Sequence, residues 1–339
     1  MFGLNETQTY FIEEHIEDFR DGLITRRELV RRVSLIAGSA ALASTILAAC
    51  DLSPRGGAGG VSATPGTSVG GGASPTATAG LVAAGPYATP PGQATTDGIT
   101  VKPDDPRISV SKPGVKGADG ADLMAYMAKP NLSGRVAGVI VVHENRGQTE
   151  HIRDIVRRVA TAGFVGINID LAARDGGAAK LTDQAAYNAA LGKRSTADKL
   201  SDHDATIAYL LPLTSGAVGA VGFCFGGGEV WNILSGAPPA ALKAAVPFYG
   251  PQPSNYTELA KVKTAVFAVY AEQDTRISGT APQMEEQLKK AGVPYQITVY
   301  PGVNHAFHND TNAAGDRYNA AQAQKAWVAT IEWFRRYLA

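Results

Sequence analysis

Apolar positions are distributed along this chain in three unlike ways. Val33 to Ala49 is one continuous apolar stretch, rich in Ala, Leu and Ile, with basic residues ahead of it. Asp51 to about Thr96 is Gly, Ala, Ser, Thr and Pro, with almost no charge and few large apolar groups. Such a segment cannot bury enough surface to offset the entropy of ordering it, and reads as a flexible tether. From about residue 107 the pattern becomes regular: short apolar runs alternate with longer segments in which apolar residues recur every three or four positions.

In that regular part, Arg107 to Ser111 and Leu123 to Ala128 read as a leading antiparallel pair. Val136 to Val142 and Phe164 to Ile169 are continuous apolar runs, the mark of strands buried on both faces. Between them, Ile152, Ile155, Val156 and Val159 share one face of a helix spanning His151 to Ala162. Thr182 to Leu211 is mostly helical and interrupted. Gly216 to Val221 is a further buried strand, and Glu229 to Leu234 reads as a helix. Ala244 to Tyr249, Ala265 to Tyr270 and Tyr295 to Tyr300 complete the strands. Met284 to Lys290 and Ala320 to Tyr337 complete the helices. Strands alternating with helices imply an α/β fold with a mainly parallel, doubly wound sheet covered on both faces. Ligands gather at the carboxyl ends of the strands in such sheets.

Composition adds exclusions. Lys+Arg equals Asp+Glu, so no charge excess points to nucleic acid as a partner. The two cysteines, Cys50 and Cys224, lie in segments with different roles, which argues against a disulfide. The apolar stretch at 33–49 falls short of the roughly 20 residues of a membrane-spanning helix. Its flanks fit an export signal. Thr25-Arg26-Arg27-Glu28-Leu29 resembles the twin-arginine motif, although any signal carries basic residues there. Leu47-Ala48-Ala49-Cys50 resembles a bacterial lipobox, in which Cys50 would carry the lipid. The expected organisation is an export signal over 1–50, a linker over 51–98 and a catalytic domain over 99–339. That implies a lipoprotein tethered to the outer face of a bacterial membrane, and a monomer is the expected state. An uncleaved anchor is the alternative. The acidic segment Tyr10 to Asp21 is long for a signal and suggests a helix.

The chemistry centres on Gly222-Phe223-Cys224-Phe225-Gly226-Gly227-Gly228. It joins a buried strand to a helix and sets a nucleophile between glycines, the pattern of the nucleophile elbow. A nucleophilic thiol needs a base and the base needs an orienting acid. Asp274 follows one strand and His305 follows the last, in the order nucleophile, acid, base. Glu272 competes for the acid role and His308 for the base. Glu144, in His143-Glu144-Asn145-Arg146-Gly147 at the end of the first core strand, is a carboxylate that must be paired if buried. The backbone N–H groups of Phe225 and Asn145 are the candidate oxyanion donors. The set requires neither metal nor cofactor.

Glu144, the Cys224 elbow, Asp274 and His305 together resemble the dienelactone hydrolase family of the α/β-hydrolase superfamily, over roughly residues 105 to 339. The resemblance implies a hydrolase of small carboxylic esters or lactones. It also implies that Glu144 holds the Cys224 thiol protonated at rest and accepts its proton when substrate displaces it. His305, oriented by Asp274, would activate the deacylating water. In the catabolic dienelactone hydrolases two arginines clamp the substrate carboxylate. Arg174 matches one; the other has no counterpart in His305-Ala306-Phe307-His308-Asn309, and Ala306 stands where the family has a small hydroxyl residue. Two other functions fit the same residues: a binding lipoprotein that has lost turnover, or acyl transfer to an acceptor other than water.

Overall fold

The computed structural model describes residues 3–50, 52–53, 100–311 and 317–339. The tether expected over 51–98 lies almost wholly outside these residues. The chain divides into two compact units, Met1–Ala84 and Gly85–Ala339.

The first unit is helical in its described part: α1 (Glu6–Arg20), α2 (Arg26–Ala37) and α3 (Ala40–Ala48). The acidic segment does form a helix, α1, opened by a capping box between Asn5 and Gln8. The apolar stretch is not one helix. Gly38 takes a left-handed conformation (φ 78°) that closes α2, and Ser39 caps α3. The two helices meet at a bend of 117°, and no single helix among the described residues is long and apolar enough to cross a membrane. Glu28 lies against both Arg31 and Arg32, which hold its carboxyl down at about 2.

The second unit is built on eight strands: β1 (Ile108–Ser111), β2 (Tyr126–Pro130), β3 (Gly138–Val142), β4 (Val165–Asn168), β5 (Val218–Phe223), β6 (Leu242–Phe248), β7 (Ala265–Ala271) and β8 (Tyr295–Tyr300). They form one sheet in the order β1-β2-β4-β3-β5-β6-β7-β8. The expected leading pair is antiparallel, Ile108 opposite Pro130, and β2 also runs antiparallel to β4. From β4 to β8 every pairing is parallel. Six strands therefore end at the same edge. The mainly parallel, doubly wound sheet expected from the alternating pattern is found, in the α/β-hydrolase architecture that the family resemblance implies.

The helices in this unit are α4 (Glu150–Thr161), the one-turn α5 (Gly177–Lys180), α6 (Gln184–Gly192), α7 (Thr196–Leu210), α8 (Phe225–Ser235), the one-turn α9 (Thr275–Ser278), α10 (Ala281–Ala291) and α11 (Ala320–Tyr337). The long helical segment is interrupted at Ser195, whose hydroxyl caps α7 with Asp198 returning the bond. Both sheet faces are covered, as strand parity shows. Gly138 of β3 lies under Leu210 of α7, and Gly222 of β5 lies under Val230 of α8. Gly138 pairs with Val218, so 138, 218 and 222 share one face. Gly219 and Gly166 lie on the other, against Phe334 of α11 and Val156 of α4. In β6, Pro247 has no N–H to give, and the ladder to β7 lapses between Ala245 and Phe248.

Candidate active site

The loops that carry chemistry all leave the carboxyl edge of the parallel strands. β5 ends at Phe223, and Cys224 follows with φ 57° and ψ −122°, a strained backbone for a residue with a side chain. The neighbouring glycines make the turn possible. A Cβ at Gly222 would overlap the Gly226 carbonyl, and one at Gly226 would overlap the Val142 carbonyl at the end of β3. Because the turn is this tight, α8 begins immediately at Phe225, four residues earlier than the pattern suggests. Cys224 is thus the N-cap of α8, and the Phe225 N–H lies at the positive end of the helix dipole.

His305 and Asp274 meet as expected. The His305 Nδ1 lies 2.6 Å from Asp274 Oδ2. A His305 ring nitrogen lies within 4.8 Å of the Cys224 Sγ. Burial alone would raise the Asp274 carboxyl, but the charge of His305 and its hydrogen bond outweigh it and hold the group below the usual carboxylate range. The competitors have other partners. Glu272 accepts from the Gly302 N–H (2.8 Å) and closes the turn after β8. His308 stacks on Phe223 (5.0 Å) beside Trp327, and burial followed by the Arg158 charge pushes it well below the ordinary histidine range.

Glu144 is buried, with 4% of its surface exposed. One of its oxygens accepts from Asn309 Nδ2 at 2.6 Å, and the other, Oε1, has no hydrogen-bond partner among the described residues. Asn309 was not singled out by sequence. Its orientation is set locally: its Oδ1 accepts from both the N–H and the hydroxyl of Thr311, which leaves the amide nitrogen for Glu144. The next residue, Asp310, anchors the loop to α4 through His151 (3.0 Å) and Arg158 (2.5 Å). A carboxylate that pairs with a neutral amide, with an open lone pair beside it, is suited to taking up a proton.

Tyr249 was also missed. It follows β6, takes a left-handed φ of 36°, and donates its N–H to Val269 at 2.7 Å. Its ring lies 5.0 Å from that of His305. Burial, then the charges of Glu144 and Cys224, push its phenol well above the ordinary range. The hydroxyl has no hydrogen-bond partner among the described residues. Tyr249 therefore joins the thiol, the imidazole and the carboxylate in one cluster. The sequence carried only a weak signal for it, an aromatic residue before Gly250 at a strand end.

Arg174 stands apart from this cluster chemically, because its guanidinium is already filled. It forks onto Asp119 (2.7 and 2.8 Å) and onto the buried Asp202 of α7 (2.7 and 2.8 Å). A fork engaged on both sides offers no donor pair to a substrate carboxylate. Cys50 belongs to the first unit. It follows α3, where its thiol donates to the Ile46 carbonyl, and neither cysteine forms a disulfide among the described residues.

Comparison with known proteins gives a consistent result. Residues 123–338 match the family model described as the dienelactone hydrolase family. A protein of Methylorubrum extorquens provisionally named carboxymethylenebutenolidase is 34% identical over 227 residues, covering 63% of this chain and 76% of its own. A protein of Synechocystis with the same provisional name is 33% identical over 244 residues, covering 64% of this chain and 92% of its own. Among solved structures, a provisionally assigned dienelactone hydrolase from Klebsiella pneumoniae superposes with a TM-score of 0.62 at 28% identity. That match covers 68% of this chain and 99% of the other.

Proposed function

The chain belongs to the dienelactone hydrolase family and is a hydrolase, and we propose that it cleaves small carboxylic esters or lactones through a thioester on Cys224. The observation that carries this reading is the convergence of the elbow thiol, the His305–Asp274 pair at 2.6 Å and the buried Glu144 at one strand edge. Glu144 takes the thiol proton as substrate enters, and the thiolate attacks the carbonyl carbon. The oxyanion is held by the N–H groups of Phe225 and Asn145. The C–O bond then breaks, and the proton carried by Glu144 passes to the leaving oxygen. His305 next takes a proton from water, hydroxide attacks the thioester, and the acid departs. The Cys224 sulfur leaves as thiolate and recovers its proton from His305, so that one ester and one water give one acid and one alcohol.

Substrates without a carboxylate clamp fit this site best. Arg174 is committed to two aspartates, and the position facing Glu144 is filled by the neutral amide of Asn309. The carboxymethylenebutenolide named for the relatives is therefore not the expected best substrate. A panel of nitrophenyl esters and simple lactones tests this: neutral short-chain substrates should turn over, with turnover lost in Cys224→Ala. Faster turnover of a carboxylate-bearing lactone than of any neutral ester would contradict it.

The N-terminal motifs support an address for this activity. Arg26-Arg27 ahead of the apolar stretch and Leu47-Ala48-Ala49-Cys50 at its end are the features of an exported lipoprotein. In that form Cys50 carries the lipid, and the segment after it spaces the enzyme from the outer face of the membrane. Detergent partitioning is the test: the mature protein should enter the detergent phase, and Cys50→Ala should move it to the aqueous phase. Partitioning unchanged by the substitution rules the anchor out.

A further inference from the structure

Glu144 and Asn145 share a peptide unit, and something must fix its plane if the Asn145 N–H is to serve as an oxyanion donor. The residue before them, His143, is fully buried at the end of β3. Its two ring nitrogens have different partners. The Leu171 N–H donates to Nε2 at 3.0 Å, so that nitrogen presents its lone pair. Tyr187 also lies 3.3 Å from Nε2, but it gives its hydroxyl proton to Asp170 at 2.7 Å. The ring proton therefore sits on Nδ1, which lies 2.7 Å from the Glu144 carbonyl oxygen and donates to it. The Gly147 N–H reaches the same oxygen at 3.1 Å.

In a trans peptide the C=O and the following N–H point in opposite directions. Holding the Glu144 oxygen from one side thus turns the Asn145 N–H to the other, and that N–H donates to no group among the described residues. His143 also touches the other donor residue. Its ring lies 6.1 Å from that of Phe225, and Gly226 of the same helix turn packs on the Val142 and His143 carbonyls. One side chain therefore borders both halves of the oxyanion site.

We propose that His143 is the positioning residue of the oxyanion site, a neutral Nδ1–H imidazole that fixes the Glu144–Asn145 peptide plane so that the Asn145 N–H meets the developing oxyanion. This inference rests on the ester-hydrolase reading above. Burial supports the neutral state, since it pushes the ring below the ordinary histidine range. A positioned donor of this kind acts in both tetrahedral intermediates. It should therefore affect acylation and deacylation alike, unlike Glu144, which takes the thiol proton in acylation only.

Two conservative variants separate positioning from packing. His143→Asn can keep a donor where Nδ1 stands, and His143→Gln can keep an acceptor where Nε2 stands. His143→Gln should lower acylation and deacylation rates by the same factor, about 10- to 100-fold, less than the roughly 10²- to 10³-fold lost when an oxyanion donor is removed outright. KM should change little. Affinity for a trifluoromethyl ketone, which forms a tetrahedral adduct on the thiol, should fall in parallel. His143→Asn should restore most of both. Equal losses in the two variants, or unchanged ketone affinity in His143→Gln, would overturn the proposal. If neither variant folds, imidazole ¹⁵N shifts of the wild-type protein decide. A protonated Nδ1 with a lone pair on Nε2 supports the assignment, and the opposite tautomer refutes it. A wild-type protein that turns over no ester and takes up no acyl group would sink the hydrolytic reading instead, leaving the tautomer readable.

Discussion

Replacing Glu144 by glutamine should slow one chemical step and strengthen the fold. The carboxyl is 4% exposed, accepts one hydrogen bond from a neutral amide, and has one oxygen with no partner among the described residues. Burying a carboxylate so sparsely partnered costs several kcal/mol, only part of which the Asn309 bond recovers. A glutamine keeps the shape and can still accept from Asn309, but carries no charge. The net gain should be about 1 kcal/mol, or roughly 2–4 °C in Tm for a domain of this size. The cost falls on acylation. The amide cannot take the thiol proton, and loss of a positioned base slows its step about 10²- to 10⁴-fold. Stopped-flow release of nitrophenol from an activated ester separates the burst from the steady rate, and differential scanning fluorimetry gives Tm. The burst should slow strongly while deacylation, served by His305, changes little. A normal burst would remove Glu144 from the mechanism and leave a Cys-His-Asp triad. A lower Tm would show that the carboxylate is a structural anchor and not a functional cost.

Asp274→Asn should cost about 10²- to 10⁴-fold in kcat, because His305 loses the partner that fixes its tautomer; steady-state kinetics on a short-chain ester read this, and a loss below threefold would contradict it. Arg174→Gln should leave kcat/KM for a neutral ester within about threefold yet lower stability by about 1–3 kcal/mol, since among the described residues the buried Asp202 keeps only Arg194, at 3.4 Å, as a cationic partner; a large rise in KM with unchanged Tm would restore Arg174 as a substrate clamp. Asp310 is held at about 2 in the fold, below its ordinary 3.8: burial opposes the shift, but the His151 hydrogen bond and the Arg158 charge outweigh it. Because the folded value is the depressed one, the stabilisation is fully present above pH 4 and is lost as pH falls from about 4 to about 2. Denaturant titrations across that window should show a shallower loss in Asp310→Asn than in wild type.

Legibility in the sequence followed the range of the interactions. The strands could be read because each is a continuous apolar run between breakers. The elbow could be read because its glycines answer a local steric demand. Asp274 and His305 could be paired because both follow strands whose ends the parallel sheet brings to one edge. Three features were not legible. The 33–49 stretch is apolar throughout, but one left-handed glycine, Gly38, breaks it into two helices. The start of α8 was placed late because Gly226 and Gly227 oppose a helix locally, while packing against β3 and β6 imposes one. Asn309 and Tyr249 reach the site through contacts across more than a hundred residues of sequence or through a single strained backbone angle, and neither leaves a periodic trace. Arg174 shows the opposite limit: a motif position can be matched by residue type while its side chain is already spent on two aspartates.

Hydrolysis by this route passes through a covalent acyl group at Cys224, and that species can be weighed. Mixing the protein with an activated ester that deacylates slowly, quenching in acid within the burst and recording the intact mass should show one acyl adduct. Peptide mapping should place it on the segment containing Cys224, and Cys224→Ala should show neither adduct nor turnover. Undiminished turnover in Cys224→Ala, or an adduct on any other residue, would contradict a thioester mechanism at Cys224.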